Sequence, residues 1–394
     1  MQEYDAVIVG AGPAGSMTAK WAAKNGARVL MIEKRQEIGS PVRCGEGISR
    51  GWLEGVGVKL DQKSVAREVK GARIVAPNGK PFYLSEKMAG NEVGIVIDRI
   101  FFDKLLARDA VEAGADLQLK TSAVKLLKNG DKVTGVKVKS FGKTWDIKAG
   151  CVVGADGFES QVGRWAGINT SLAPRDITSC FQYRLTNIKH EPDYCEFVLG
   201  SKAPGGYIWI FPKDEKTANV GIGMQLTKLK DRGDVKKYLD KFIENDPRLK
   251  KGKAIEMVSG AVSICAPIDK TIGDGVLLVG DAARQIDPIT GGGISNSCKA
   301  GKVAGEVIAK AARERNFSER SLQRYEKGWR DLIENHLYRN WMAKEKLVTL
   351  SDDTFNKIIA ALNEVGVEKM STLAILRAIE TKYPDLVKEF QDLL

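Results

Sequence analysis

Two periods of apolar and polar residues run along this chain, and they sort it into different kinds of element. Short continuous apolar runs at 6–9 (AVIV) and 276–279 (VLLV) predict buried parallel strands, and a second strand is expected at 28–32 (RVLMI). Residues 16–25 have helical spacing and stop at Gly26, so a helix is expected between the first two strands. A further strand is expected at 152–157 (VVGADG), and a long helix after Gly291-Gly292-Gly293 that runs through Ala312. Elsewhere the period is two. Residues 72–75, 81–84, 179–185, 207–211 and 219–224 alternate between turn residues, which predicts a second, antiparallel sheet. From 318 onward the spacing is helical again, with Leu332, His336, Trp341 and Leu347, then Ile358, Ile359, Leu362 and Val365.

These patterns predict an α/β chain, α+β overall. A discontinuous α/β domain would comprise 1–61, 98–176 and 262–317. An inserted antiparallel-sheet domain would comprise 62–97 and 177–261, and a helical C-terminal region 318–394. A length of 394 residues fits two or three domains better than one small core. Internal repeats and low-complexity linkers are not seen.

Composition narrows the picture. An apolar share of 43% and a charged share of 28% read as globular and soluble. The apolar runs are too short to span a bilayer, and the first residues lead into a strand pattern rather than a secretory signal. A cytoplasmic location is therefore expected. The six cysteines form no CxxC pair, so neither a metal site nor a disulfide framework is expected. The net charge of +11 favours anionic partners, but no basic run is interleaved with aromatics, which argues against nucleic acid. The two histidines, His190 and His336, lie in polar stretches, are expected to be exposed, and are given no catalytic role.

Candidate chemistry starts at Gly10-Ala11-Gly12-Pro13-Ala14-Gly15, a GxGxxG string between a strand and a helix. Gly10 permits the tight turn, Gly12 lets the backbone approach a pyrophosphate, and Gly15 lets helix and strand pack closely. The helix N-terminus turns free N–H groups and a positive dipole end toward phosphate. Glu33 ends the next strand, where an acid accepts from a ribose 2′-OH and repels a 2′-phosphate. The context is that of a Rossmann-like dinucleotide site. Downstream, Asp281 follows another buried strand, and Gly291–Gly293 opens a helix whose N–H groups suit an anionic edge. A plain N-cap or Asx turn is the alternative for Asp281 taken alone.

GAGPAG at 10–15, GADG at 154–157 and GDAARQIDPITGGG at 280–293 together resemble the three motifs of the p-hydroxybenzoate hydroxylase type of FAD-dependent flavoprotein. Within that superfamily, residues 204–212 (PGGYIWIFP) resemble the PxxYxWxFP signature of geranylgeranyl reductases, and 43–47 (RCGEG) resembles a loop of that family that carries a cysteine beside the flavin. The matches spread over residues 1–300. The resemblance implies FAD as cofactor, held by Gly10, Gly12, Ala14, Gly15, Glu33, Lys34, Arg43, Cys44, Gly45, Gly47, Arg99, Ala123, Asp156, Gly157, Asp281, Pro288, Gly291, Gly293 and Ile294. It implies a substrate wall of Tyr207, Trp209 and Phe211, whose alternation puts them on one side of a strand; an ordinary core face is the plainer reading of that alternation.

The activity implied is flavin-dependent reduction of C=C bonds in geranylgeranyl chains of archaeal-type phospholipid precursors. It needs a hydride and a proton. Candidate proton donors are Cys44, Tyr207 and a water chain; the plainer role for Cys44 is packing against FAD. An aromatic-ring hydroxylase of the same fold is the rival, and a nonenzymatic FAD-containing prenyl-lipid carrier is a third reading. The electron donor is expected to be NAD(P)H or a ferredoxin-like protein. Arg330, Arg339, Lys344 and Lys346 are candidates for a lipid phosphate or a peripheral membrane contact, or else a solvated basic helix face.

Overall fold

A computed structural model describes residues 3–85, 88, 94–231, 233–366 and 372–387. The chain opens with β1 (Glu3–Val9), α1 (Pro13–Lys24) and β2 (Val29–Ile32), which start a parallel sheet whose strands are apolar on both faces. It then crosses to β3 (Gly47–Ile48), β4 (Val65–Glu68), β5 (Gly71–Val75), β6 (Pro81–Ser85) and β7 (Ile95–Ile97). Helix α2 (Arg99–Glu112) and β8 (Asp116–Gln118) return it to the first sheet. A meander follows: β9 (Ser122–Asn129), β10 (Lys132–Ser140) and the long β11 (Lys143–Gly154), then α3 (Gln161–Ala166).

The second sheet is completed by β12 (Ile177–Thr186), β13 (Tyr194–Val198), β14 (Tyr207–Pro212), β15 (Ala218–Gln225), α4 (Asp234–Asn245) and β16 (Lys253–Ser263). The chain re-enters the first sheet with β17 (Ile272–Gly273) and β18 (Val276–Leu278), and passes into α5 (Ile294–Arg313). Helix α6 (Glu319–Trp329) runs through a π turn (Arg330–Glu334) into α7 (Asn335–Leu347). Helices α8 (Asp352–Val365), α9 (Thr372–Lys382) and α10 (Pro384–Val387) follow.

The first sheet has the order β17-β18-β11-β1-β2-β8, with β10 paired to β11 and β9 to β10. Strand β1 pairs in parallel with both β2 and β11, and β11 with β18, so the three acid-bearing turns of the sequence lie side by side at one sheet edge. Helices α1 and α5 pack together over one face; Gly301 and Gly305 permit this, since a Cβ at either would meet α1 backbone at 2.8 Å or less. The seven-stranded sheet has the order β16-β12-β15-β14-β13-β5-β6. Every residue of β15, an interior strand of that sheet, is buried.

Three features differ from the sequence reading. Segment 62–97 divides: β5 and β6 extend the seven-stranded sheet, whereas β4 and β7 join β3 in a separate three-stranded sheet. Strands β13 and β16 add to the expected set, and β13 pairs with β5 in parallel. His190 is half-buried rather than exposed, and burial lowers its pKa below the usual histidine value.

Candidate active site

The sheet edge that gathers the three turns opens into a cavity of about 1880 Å3. It is lined at one end by Gly10–Ala14, Glu33, Lys34 and Ala123, in the middle by the 43–47 loop, Arg99 and the aromatic strand, and at the other end by apolar side chains of α7 and α8.

At the first end the glycines are required by contact. Gly10 has φ +107°, and a Cβ there would lie 2.3 Å from the Ala155 carbonyl oxygen. A Cβ on Gly15 would lie 1.9 Å from the Gly10 oxygen. A Cβ on Gly12 would meet nothing within 4 Å, so it would point into open cavity. Gly12 is also the N-cap of α1 and has no side-chain cap, which leaves N–H groups of the first turn facing that space. Glu33 stands where β2 ends; its Oε2 accepts from the Ala11 N–H at 3.1 Å and its Oε1 from the Arg35 N–H at 2.9 Å. Lys34 is exposed at the rim, and Ala123 lies in β9.

Asp156 and Gly157 sit in the turn after β11. The Asp156 Oδ2 accepts from the Val162 N–H at 3.0 Å, while its Oδ1 is buried with no hydrogen-bond partner among the described residues. Burial raises the Asp156 carboxyl above its usual range. Asp281 follows β18, and burial raises its carboxyl too; it takes no hydrogen bond from the described residues. Its Oδ1 is 2.9 Å from where a Gly293 Cβ would be, which explains the glycine. Gly293 is the N-cap of α5, again without a side-chain cap. Pro288, Gly291 and Ile294 line the same wall. Two uncapped helix N-termini and a solitary buried carboxylate oxygen thus face one space, and that donor and acceptor set fits a dinucleotide with its anionic phosphates.

The 43–47 loop lies on the second sheet. Gln182 Nε2 donates to the Cys44 carbonyl at 3.1 Å, and Asn219 Nδ2 to the Gly45 carbonyl at 3.2 Å. Gly45 and Gly47 lie flat against Phe211; a Cβ on either would be 3.0 Å from the ring. Cys44 is half-buried on the cavity wall, and burial pushes its thiol above the usual range against the pull of Arg99. Arg99 starts α2, where its fork is taken by Asp103 at 2.8 and 2.7 Å. Arg43 is exposed.

Tyr207, Trp209 and Phe211 share one side of β14, with ring centroids 6.0 and 6.5 Å apart, and Phe197 of β13 packs on the first and third at 5.5 and 5.2 Å. Trp209 Nε1 donates to Gln182 Oε1 at 2.7 Å, and Gly221 makes room for the indole. The Tyr207 phenol donates to the Thr290 carbonyl. Burial pushes that phenol well up, and pushes the Cys180 thiol up to about 12. Beyond the rings the wall becomes apolar, with Ile74, Leu84, Phe355, Ile358 and Leu362.

Several residues escaped the sequence reading. Glu46 is buried inside the loop whose other members were singled out. Lys213 follows directly after the aromatic string, and reading that string one residue further was the available signal. Asp287, within the DPITGGG string, accepts from Asn340 Nδ2 at 2.5 Å and pairs with His336 Nε2 at 3.2 Å, so His336 joins α7 to the turn before α5. Two basic candidates are corrected. Arg330, at the start of the π turn, is consumed by Glu326, Glu334 and the carbonyls of Ile268 and Asp269. Lys344 is buried and pairs with Glu345. Arg339 is exposed, and its Nε donates to the Asn335 carbonyl of its own helix at 3.3 Å. No helix among the described residues is long and apolar enough to cross a membrane.

Comparison with known proteins agrees with this geometry. Residues 176–262 match the family model of the geranylgeranyl reductase catalytic domain, and residues 5–192 that of FAD dependent oxidoreductases. The chain is 49% identical to digeranylgeranylglycerophospholipid reductase of Thermoplasma acidophilum, over 100% of both chains. It superposes on the crystal structure of a geranylgeranyl bacteriochlorophyll reductase-like protein from that organism with a TM-score of 0.94, at 49% identity and 100% coverage of each. It also shares its fold with p-nitrophenol 4-monooxygenase from Pseudomonas putida, at a TM-score of 0.75 and 16% identity, covering 98% of this chain and 99% of the other.

Proposed function

The chain belongs to the digeranylgeranylglycerophospholipid reductase family of FAD-dependent oxidoreductases, and from that premise we propose that it saturates C=C bonds in geranylgeranyl chains of phospholipid precursors. The observation that carries the reading is the continuity of one cavity, from a phosphate-binding cradle, past a half-buried thiol and three aromatic rings, to an apolar end. A hydroxylase of small aromatic rings has no use for that apolar extension, and the likeness to a monooxygenase extends to the fold alone.

Gly10, Gly12 and Gly15 with the α1 N-terminus would hold the pyrophosphate of FAD, Glu33 and Ala123 the adenosine half, and Asp281 with Gly291–Gly293 the flavin half. When bound and reduced, FAD supplies the hydride. The protein must hold an isolated alkene close by, since such a bond offers no carbonyl to polarise, and must deliver a proton to its other carbon. We assign the proton to the Cys44 thiol. Burial keeps it protonated. The S–H bond breaks as a C–H bond forms at the substrate carbon, and the thiolate recovers its proton from water. The Tyr207 phenol is already committed to the Thr290 carbonyl, which leaves it a wall rather than a donor. The rings of Trp209 and Phe211 and the side chains of α8 would exclude water along the chain.

Residues 1–61, 98–176 and 262–317 would act as the FAD domain and the seven-stranded sheet as the substrate domain. A peripheral membrane contact suits the outer side of the π turn and α7, where Leu332 and Tyr338 are about half exposed, at 52% and 50%, near exposed Arg339. The electron donor is NAD(P)H or a ferredoxin-like protein; the net charge of +11 favours an acidic protein.

The test is anaerobic. The purified protein is reduced with dithionite, a digeranylgeranyl phospholipid is added, and reoxidation of the yellow chromophore is followed with product mass. Reoxidation with a gain of two hydrogens per bond supports the reading. Product formation that requires O2 and adds oxygen overturns it. Presenting NADH, NADPH or a reduced ferredoxin in turn identifies the donor.

A further inference from the structure

Glu46 has a side chain wholly withdrawn from solvent although it sits in a loop between two glycines. Its backbone is in the left-handed region, with φ +75°, which costs a non-glycine residue about 1 kcal/mol or more unless its surroundings hold it there. A carboxylate in such a place needs compensation from close partners. Three elements supply it. Arg184 Nη2 of β12 and Lys213 Nζ after β14 each donate to Oε2 at 2.9 Å, and Asn219 Nδ2 of β15 donates to it at 2.6 Å. The Arg99 N–H at the start of α2 donates to Oε1 at 2.8 Å. The backbone is gripped as well: the Ile97 N–H donates to the Glu46 carbonyl at 2.9 Å, and Lys213 Nζ to the Ile97 carbonyl at 2.8 Å. The Glu46 N–H in turn donates to Cys44 Sγ at 3.2 Å.

We propose that Glu46 is a positioning residue for the reduction, whose buried carboxylate pins the Cys44 loop to the substrate sheet and screens the thiol from the cations behind it. The proposal rests on the reading of Cys44 as proton donor and names what keeps that donor in place. The cations are Arg184 and Lys213; Arg184 also meets Glu256 at 3.2 Å. With Glu46 ionised, two positive and two negative charges balance. Without it, one positive charge is left uncompensated close to the loop. The groups that act on Cys44 are Arg99 from α2, which favours the thiolate, Glu46 from its own loop, whose main-chain N–H favours it and whose carboxylate opposes it, and Cys180 of β12 and Tyr207 of β14, both held neutral by burial. The Glu46 carboxylate, which Glu46→Gln removes while the main-chain N–H stays, therefore stands against Arg99 in deciding whether the sulfur keeps its proton.

The measurement is the alkylation rate of Cys44 by iodoacetamide as a function of pH, read by peptide mass in the FAD-loaded protein, with buried Cys151, Cys195 and Cys298 as internal references. In Glu46→Gln the thiolate becomes easier to form, and the rate at pH 8 rises by about tenfold for each unit by which the titration falls. In Lys213→Gln a cation is lost instead, and the rate at pH 8 falls below that of the parent. A loop that has merely loosened reacts faster in both variants, and that result overturns the proposal, as does an unchanged Cys44 rate in Glu46→Gln. Should Glu46→Gln expose the reference cysteines as well, Lys213→Gln alone decides: slower supports the proposal, unchanged or faster overturns it. Turnover of Cys44→Ser is the separate test of the donor reading, and its outcome leaves the coupling between Glu46 and the sulfur standing or falling on the alkylation data.

Discussion

Tyr207 and Thr290 are joined by a hydrogen bond in which the phenol donates to a main-chain carbonyl, tying the aromatic strand to the glycine-rich turn before α5. The bond joins the seven-stranded sheet to a turn that follows the last strand of the first sheet. It holds the substrate wall at a fixed distance from the turn that would carry the flavin.

Tyr207→Phe keeps the ring and loses that tie. The expected cost is about 1 kcal/mol of stability, read by thermal unfolding of the FAD-loaded protein, with turnover reduced less than in Cys44→Ser. If the melting temperature is unchanged and turnover disappears, the phenol, not the thiol, is the proton donor.

Cys44→Ser replaces the thiol by a far weaker acid of nearly the same size. Turnover on detergent-dispersed lipid should fall on the order of 10²-fold, the usual contribution of a positioned general acid, while FAD content stays constant. Full turnover in the variant removes Cys44 from the chemistry.

The pH dependence of that turnover follows from the direction of the Cys44 shift. Burial raises the thiol above 9.0, its ordinary value, and the active form is the protonated one. Activity should therefore persist through pH 9 and decline only above it. A rate profile that falls at a lower pH, with no loss of fold, contradicts the assignment.

Gly15→Ala and Gly12→Ala should separate two roles within one motif. A Cβ on Gly15 collides with the Gly10 carbonyl, so this variant should lose about 1–3 kcal/mol of stability and bind little FAD. A Cβ on Gly12 meets only open cavity, so that variant should fold as the parent does and fail chiefly in FAD retention, measured by absorbance after gel filtration.

Asp287 gives an acid-side prediction. Burial favours its neutral form, but hydrogen bonds from His336, the Thr290 N–H and Asn340 prevail and hold the carboxyl below its ordinary value of 3.8. A depressed folded value means that its stabilisation is present above pH 3.8 and is lost as pH falls below it. Asp287→Asn should be less stable at pH 7 by about 1–3 kcal/mol, and should lose less than the parent between pH 4 and pH 2. Parallel melting curves for the two proteins across that range would contradict this.

What could be read from the sequence follows the range of the forces involved. The cradle, the strand after it and the start of α5 are set by neighbours a few residues away, so 10–15, 28–32 and 291–293 announced themselves. The strand that carries Tyr207, Trp209 and Phe211 alternates cleanly because one side is a cavity wall and the other packs into the sheet. Strand β16 was hidden because it is an edge strand with Ile255 and Met257 exposed, which blurs the alternation. Glu46 looked like an ordinary loop charge. Its partners Arg184, Lys213 and Asn219 are 138, 167 and 173 residues away, and no local pattern announces an ion pair of that span. His336 was set aside for the same reason, since Asp287 lies 49 residues before it.

The π turn at Arg330–Glu334 has a consequence for the helix that contains it. Upstream, Leu322, Tyr325 and Trp329 are buried in the core beneath α5; downstream, Ile333 and Leu337 continue that same core, while His336 and Asn340 turn toward Asp287. Each residue of an ordinary α-helix advances the phase by about 100°. Over the fifteen positions from Leu322 to Leu337 a regular helix drifts off such a stripe, and the wider turn takes up the drift. The turn works as a vernier between two packing layers. Deleting one residue from it would leave the helix intact and rotate everything beyond by a quarter of a circle or more, swinging the Asp287 partners away while the upstream core stays closed.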